Sequence, residues 1–219
     1  MQKMGRRVPR SLRQARDLST ARRIVSAAEE IFAEQGLAGA RMDEIARAAR
    51  VNKALLYYYF RSKEELHRFV LEALFSQLRA GVAQQYPATP SPRKRLSAVV
   101  DNFFEFVRQH PNYPRLVQRA LLNRGPNLDW IVSEYYRPLH SQLVRTIEEG
   151  ISAGEFRRVD ARNTALTVIS IMVFYFAAAP VLSRILGHDA LRPPEVAKRR
   201  RAVQDFLEHG LFRPEIGMR

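Results

Sequence analysis

The sequence predicts an all-α protein: a small N-terminal unit in which two short helices follow a longer one, then a larger helical bundle. Three observations predict it. Apolar residues recur at helical spacing in segment after segment; Ile24, Ala27, Ala28, Ile31 and Phe32 fall at i, i+3, i+4, i+7 and i+8, one stripe of a helix. No segment alternates apolar and polar residues as a half-buried strand would, and no internal repeat is found. Gly and Pro stand between the periodic segments, where turns belong, as at Gly36, Pro111, Pro114 and Gly154.

The bulk numbers bound the function. A chain of 219 residues, 46% of them hydrophobic, can bury a sizeable core. Lys and Arg number 36 against 22 acids, a formal net charge of +14. Such a surplus draws in polyanions and releases their counterions, so nucleic acid is the first candidate partner and an anionic membrane surface the second. There is no cysteine, which excludes disulfides, thiolate metal sites and cysteine nucleophiles. The basic start lacks an apolar stretch after it and is not a secretory signal; the expected location is cytoplasmic. Residues 165–182 are apolar enough to raise a membrane span, but they include Thr167, Ser170, Tyr175 and Pro180 and stand alone. A helix buried on all sides in a bundle or dimer interface reads the same way, and no membrane partner is expected.

Each element has its own signals. Residues 1–17 carry Lys3, Arg6, Arg7, Arg10, Arg13 and Arg16 with no apolar period, and read as a flexible basic arm. The first helix follows, with Ser19 or Thr20 as its cap and Gly36 as a left-handed end. A short helix is expected near Asp43–Ala49, with Asp43 and Glu44 at the positive end of its dipole. Arg50, Val51 and Asn52 make a tight turn, and a second short helix covers about Lys53–Phe60 with Leu56 and Phe60 inward. Ser62 with Glu65 forms a capping box for a helix over 63–85, whose inward residues are Leu66, Phe69, Val70, Ala73 and Leu74.

Pro87, Pro90 and Pro92 mark a joint. Beyond it come stripes at Leu96, Val99, Val100, Phe103 and Val107, then at Leu116, Val117, Ala120 and Leu121. A long stripe follows from Ile131 through Tyr135, Leu139, Leu143 and Ile147 to Ile151; Pro138 inside it should kink that helix. One apolar helix is expected over about 161–185, and a last helix over about 194–209 with Val196, Val203, Phe206 and Leu207 apolar.

Two short helices joined by a three- or four-residue turn make a helix-turn-helix, whose second helix can enter a major groove. Here that second helix carries Lys53, Tyr57, Tyr58 and Tyr59, with Lys63 just after it. Tyrosine hydroxyls and ammonium groups reach phosphates, and the small Ala54 lets the helix N-terminus approach a backbone closely. Three consecutive tyrosines cannot all face a core; one, Tyr57 or Tyr58, is expected inward beside Leu56 and Phe60.

The stretch ARRIVSAAEEIFAEQGLAGARMDEIARAARVNKALLYYYFRSKEELHRFVLEAL resembles the N-terminal domain of TetR-family regulators. Ala28, Phe32, Gly36, Ile45, Ala46, Val51, Tyr57, Phe60, Lys63 and Leu66 stand at the family's spacing. The resemblance implies a DNA-binding domain over 18–78 with its helix-turn-helix at 41–60. It implies that Lys53, Ala54 and Leu55 touch DNA at the start of the recognition helix, that Tyr57, Tyr58 and Tyr59 meet phosphates or bases, and that Lys63 holds the DNA backbone. The chain departs from the family at several points. Ala40 and Arg41 replace a Thr/Ser pair, removing a hydroxyl cap and phosphate contact that Arg41 could supply as a charge-assisted bond. Arg50 stands where Gly is common, Ala54 replaces a frequent Gly, Leu55 a frequent Thr or Ser, and Tyr59 a frequent His.

Residues 79–219 resemble the family in layout only, which implies an effector-binding and dimerisation bundle pairing two copies through the last two helices, about 161–209. Phe103, Phe106, Trp130, Tyr135, His140, Met172, Phe174 and Tyr175 are the candidate ligand-binding residues; aromatic walls with a few polar tips suit an apolar or aromatic effector, though most could simply fill the core. No Gly-rich phosphate loop, nucleophile elbow or His pair at metal-ligand spacing occurs, so no enzyme, cofactor or metal is expected. The combined expectation is a homodimeric repressor, released from a palindromic DNA operator by a small-molecule effector. Two rivals remain: a membrane-associated basic protein using residues 165–182, and a small-molecule-binding or enzymatic helical protein that keeps a reading head it no longer uses.

Overall fold

Helix α1 runs Arg10–Gly39 in a computed structural model that describes residues 10–85, 91–122 and 127–214. After it come α2 (Met42–Ala48), α3 (Lys53–Tyr59), α4 (Lys63–Gln85), α5 (Pro92–Gln109), α6 (Tyr113–Leu122) and α7 (Leu128–Ile131). A π-helical turn at Val132–Tyr136 leads into α8 (Arg137–Ser152), followed by α9 (Ala161–Ala177), α10 (Ala179–Leu186) and α11 (Pro193–Gly210). Among the described residues the only strand-like pairing is an isolated bridge between Phe156 and Phe212. The chain divides into two compact units, Met1–Ala73 and Leu74–Arg219. The basic residues Lys3, Arg6 and Arg7 and the joint residues Pro87 and Pro90 lie outside the described residues.

The first unit closes over Ile24, Ala28 and Phe32 of α1, Ile45 and Ala46 of α2, Leu56 and Phe60, and Leu66 and Val70 of α4. Helix α1 starts earlier than the apolar period suggested. Residues 10–17, expected as arm, are its first turns, and Ser19 and Thr20 lie inside it rather than capping it. The segment holds Leu, Arg, Gln and Ala and no Gly or Pro, so propensity favours helix where periodicity is silent. Gly36 breaks the helix at φ 72°, ψ 177°, a conformation that residues with a Cβ resist. The two short helices sit within a residue of their expected places. Asn52, expected only as a turn residue, caps α3 by accepting from the Leu55 N–H at 2.7 Å. At the start of α4 the Ser62 hydroxyl accepts from the Glu65 N–H at 3.1 Å, and the Glu65 carboxylate accepts from the Arg61 N–H at 2.7 Å. Phe69, expected inward, is exposed along one face and meets Phe60 edge-on, ring centroids 5.4 Å apart.

The second unit packs α8 against α9 and α5 against α8 and α11, around Leu96, Val100, Leu116, Ile131, Leu143, Ile147 and Phe156. Ser91 caps α5, with Pro92 at its first position, where a missing N–H costs nothing. The break expected at Pro138 takes the form of the π turn at 132–136. Proline cannot donate to the preceding turn and its ring crowds the carbonyl four residues back; widening the turn relieves both. The single apolar helix expected over 161–185 is two helices bent by 72° at Ala178. Pro180, in the first turn of α10, denies the ladder the N–H that would bond Phe176. No single described helix is therefore long and apolar enough to cross a membrane. Phe206, expected on the apolar stripe of α11, is exposed.

Candidate nucleic-acid interface and ligand cavity

Helix α3 is anchored by Leu56, which is fully buried, and presents most of its remaining surface to solvent. Lys53 and Ala54 are exposed and Leu55 is half-buried. Tyr58 is the most exposed ring at 80%, and Tyr57 is 42% exposed. Tyr59, not Tyr57 or Tyr58, is the tyrosine drawn partly inward; it meets Tyr58 edge-on at 5.4 Å. The reason is helical phase: Tyr59 lies three residues after buried Leu56, on the same side of the helix.

Electrostatics shape both ends of the motif. The Lys53 ammonium pairs with Asp43 of α2 at 2.9 Å, both side chains largely exposed, and the hydrogen bond and charge of Asp43 raise the lysine's pKa. Arg41 precedes α2 in extended conformation and makes no side-chain cap, as the loss of the hydroxyl pair implies. It is exposed and free to face an anion. Lys63 is engaged internally: its ammonium donates to the carbonyls of Ala40 at 3.0 Å and Ala38 at 3.3 Å, holding the end of α1 against the start of α4. Gln35 donates to Glu44 at 2.7 Å and fixes α2 to α1. The Asn52 cap and the Lys53–Asp43 pair were not anticipated; an Asn directly before a helical run was the available signal for the first.

The second unit holds a partly open cavity of about 140 Å³ among α4, α5, α8 and α9, with the exposed Arg79 at its edge. Phe103, Tyr135 and Met172 line it, as do Phe75, Leu78 and Arg79 of α4, Tyr113, Tyr136 and Gln142. The other candidate ligand residues lie elsewhere. Trp130 stands behind Tyr135, edge-on at 5.4 Å. Phe106 packs on Tyr113 and His110. The His140 ring nitrogen is 3.3 Å from the Arg162 carbonyl. Tyr175 donates to the Ala190 carbonyl at 2.7 Å, and Phe174 is 68% exposed. The α4 residues were missed, although Leu74, Phe75 and Leu78 continue that helix's apolar stripe. Burial raises both cavity phenols, Tyr136 to about 12 and Tyr113 well above its ordinary value, so both stay protonated donors at neutral pH. The two hydroxyls lie side by side, and that of Tyr136 is buried without a hydrogen bond of full geometry.

Two family models account for both units. The model for bacterial regulatory proteins of the tetR family matches residues 24–68, and the tetracyclin repressor-like C-terminal domain matches 92–207. The chain belongs to the TetR family. It is a helix-turn-helix transcriptional regulator that binds DNA, a family of regulators and not of enzymes. The repressor SCO4008 of Streptomyces coelicolor is 30% identical over 192 residues, covering 84% of this chain and 95% of that one. The repressor NicS of Pseudomonas putida is 26% identical over 195 residues, 87% of this chain and 91% of NicS. A transcriptional regulator of Saccharomonospora viridis, solved in complex with choline, shares the fold at a TM-score of 0.71 and 19% identity, covering 89% of this chain and 98% of that one. FadR of Bacillus subtilis, solved with stearoyl-CoA, does so at 0.69 and 19%, over 85% and 96%.

Proposed function

We propose that this TetR-family chain is a homodimeric repressor in the cytoplasm, reading a pseudo-palindromic operator with one α3 helix per half-site. The observation that carries the reading is the surface of α3: a capped helix, pinned by Leu56, that holds Lys53, Ala54, Tyr57 and Tyr58 out in solvent. Such a helix is shaped for a major groove, its N–H groups and hydroxyls directed at phosphates and base edges. Arg41 and Leu55 complete the contact, Leu55 against a thymine methyl. Tyr59 and Lys63 support it by position, with the backbone contact expected of Lys63 available once its ammonium leaves the α1 carbonyls.

Dimerisation is assigned to the last helices. Leu166 and Phe174 of α9, Val181, Ile185 and Leu186 of α10, and Phe206 of α11 are all exposed apolar side chains, a load that favours burial against a second copy. The cavity is assigned to an effector. Helix α4 carries Lys63 near the reading head and Phe75, Leu78 and Arg79 on the cavity wall, so a ligand that moves α4 acts on DNA binding. A ligand preferring the released state about a hundredfold supplies about 2.7 kcal/mol of coupling.

The test is fluorescence anisotropy of the purified protein on DNA from upstream of its own gene against random DNA, across several salt concentrations. Tighter binding to the upstream DNA that persists at physiological salt is the expected result. Equal, steeply salt-dependent binding to both, with no other genomic fragment preferred, overturns the reading.

A further inference from the structure

We infer that the cavity between α4 and α9 takes a small organic acid: an anionic head on an apolar body about the size of one six-membered ring. The inference rests on the reading of this cavity as an effector site and names the class of its ligand.

Size sets the body. A cavity near 150 Å³ lined by apolar side chains accommodates a benzene ring, and this one measures about 140 Å³ with walls of Phe75, Phe103, Tyr135, Leu139 and Met172. A long acyl chain has no room there.

Charge sets the head. Arg79 is the one charged residue in the lining, and no Asp, Glu or His shares it. Its guanidinium lies 5.9 Å from the Tyr135 ring centroid and makes no ion pair among the described residues. Five aromatic rings without a carboxylate would also attract a cation, but a positive charge already lies over Tyr135 and repels a second one. An anion meets the opposite situation: a guanidinium offers a carboxylate a forked, charge-assisted pair.

The cavity wall holds a second polar group that a ligand oxygen can reach. Tyr136 lines the space, and its buried hydroxyl is set beside that of Tyr113 without a hydrogen bond of full geometry. A buried hydroxyl so weakly paired gains a full hydrogen bond from a ligand oxygen that reaches it. Water serves poorly in a pocket so nearly apolar.

Isothermal titration calorimetry of the full-length protein with benzoate, benzamide and choline tests the inference. Benzoate and benzamide share shape and differ in charge; choline carries the opposite one. Saturable benzoate binding about tenfold or more tighter than benzamide is expected. Arg79→Gln should erase that preference, and Tyr136→Phe should weaken both ligands by several-fold, with melting of the ligand-free variants checking that each is folded. Benzamide equal to benzoate, choline tighter than either, or a benzoate preference that survives Arg79→Gln overturns the acid. In those cases, loss of binding in Met172→Trp, which fills the cavity, still leaves it an effector site. No binding by any of the three probes overturns the acid and weakens the effector-site reading with it.

Discussion

Arg50 occupies a left-handed backbone conformation, φ 55°, between the two short helices. A side chain with a Cβ is disfavoured there by about 1 kcal/mol, and glycine is not. Arg50→Gly should therefore raise stability by roughly that amount, read as a higher melting temperature of the full chain, while lowering non-specific DNA affinity slightly through the lost charge. This strain was foreseeable, because the position is commonly Gly in the family. The Lys53–Asp43 pair was not, because nothing in spacing reveals that α2 and α3 bring these two residues within 2.9 Å. On the proposed reading, Asp43 competes with DNA phosphate for the lysine and adds a negative charge beside the recognition helix. Asp43→Asn should tighten operator binding and steepen the dependence of log K on log salt by about 0.9, one added phosphate contact. An unchanged slope would mean that Lys53 makes no such contact. His67 sits behind the reading head, buried edge-on against Phe32 with ring centroids 4.8 Å apart. Burial lowers its pKa from 6.5 to about 4, against a smaller opposing pull from Glu64. A depressed histidine stays neutral in the fold while the unfolded chain takes up the proton, so stability is lost as pH falls from 6.5 towards 4. The loss is on the order of 2 to 3 kcal/mol over that window. Denaturant melts of the wild type and His67→Phe at pH 7 and pH 5 should differ in slope against pH, with the variant the flatter.

Among the elements, α8 and its π turn show how far periodicity carries. The stripe from Ile131 to Ile151 predicted one helix kinked at Pro138, and the helix is there; that the kink is a widened turn depends on which carbonyl the proline ring crowds, a matter of three-dimensional packing. At the other end of α8, Gly150 is packed face-on by Phe156, which itself stacks on Phe212 with centroids 5.0 Å apart. A Cβ at position 150 would collide with the Phe156 ring. Gly150→Ala should cost 1–3 kcal/mol by overpacking, although alanine is the better helix former. A melting temperature equal to wild type would show that Phe156 yields freely. The apolar run over 161–185 illustrates the opposite limit. Composition alone made it one long helix, whereas a single Pro180 turns it through 72° and leaves Val181 and Ile185 facing outward.

For the whole molecule, the two units differ in how much the chain announced. In the reading head the two short helices and the Ser62–Glu65 capping box were legible from local rules, whereas the Asn52 cap, the inward turn of Tyr59 and the internal bonds of Lys63 were not. The cavity was not: of eight aromatic and polar candidates, Phe103, Tyr135 and Met172 meet there, because helical phase within a bundle depends on neighbours far away in sequence. The dimer reading belongs to this scale. Ile185 is 72% exposed; Ile185→Asp should convert dimer to monomer in sedimentation velocity. It should also reduce affinity for a two-half-site operator by about a hundredfold, with single half-site binding unchanged. A dimer that persists would move the interface off α10.

The bonds that close the second unit reach across nearly its full length. Arg93 at the start of α5 bonds Glu208 and the Arg213 carbonyl, and the Arg213 N–H donates to Glu155. In the first unit the ties described are shorter, as from Lys63 to Ala38 and from His67 to Phe32. Loop-closure entropy makes near partners meet first. During synthesis the reading head can take shape while the bundle is still being made, whereas α5 must wait for α11 to emerge. Proteolysis of stalled nascent chains ending just past α4 should find the head already resistant. A ribosome-bound intermediate would then carry a folded, basic helix-turn-helix ahead of a bundle still in the making.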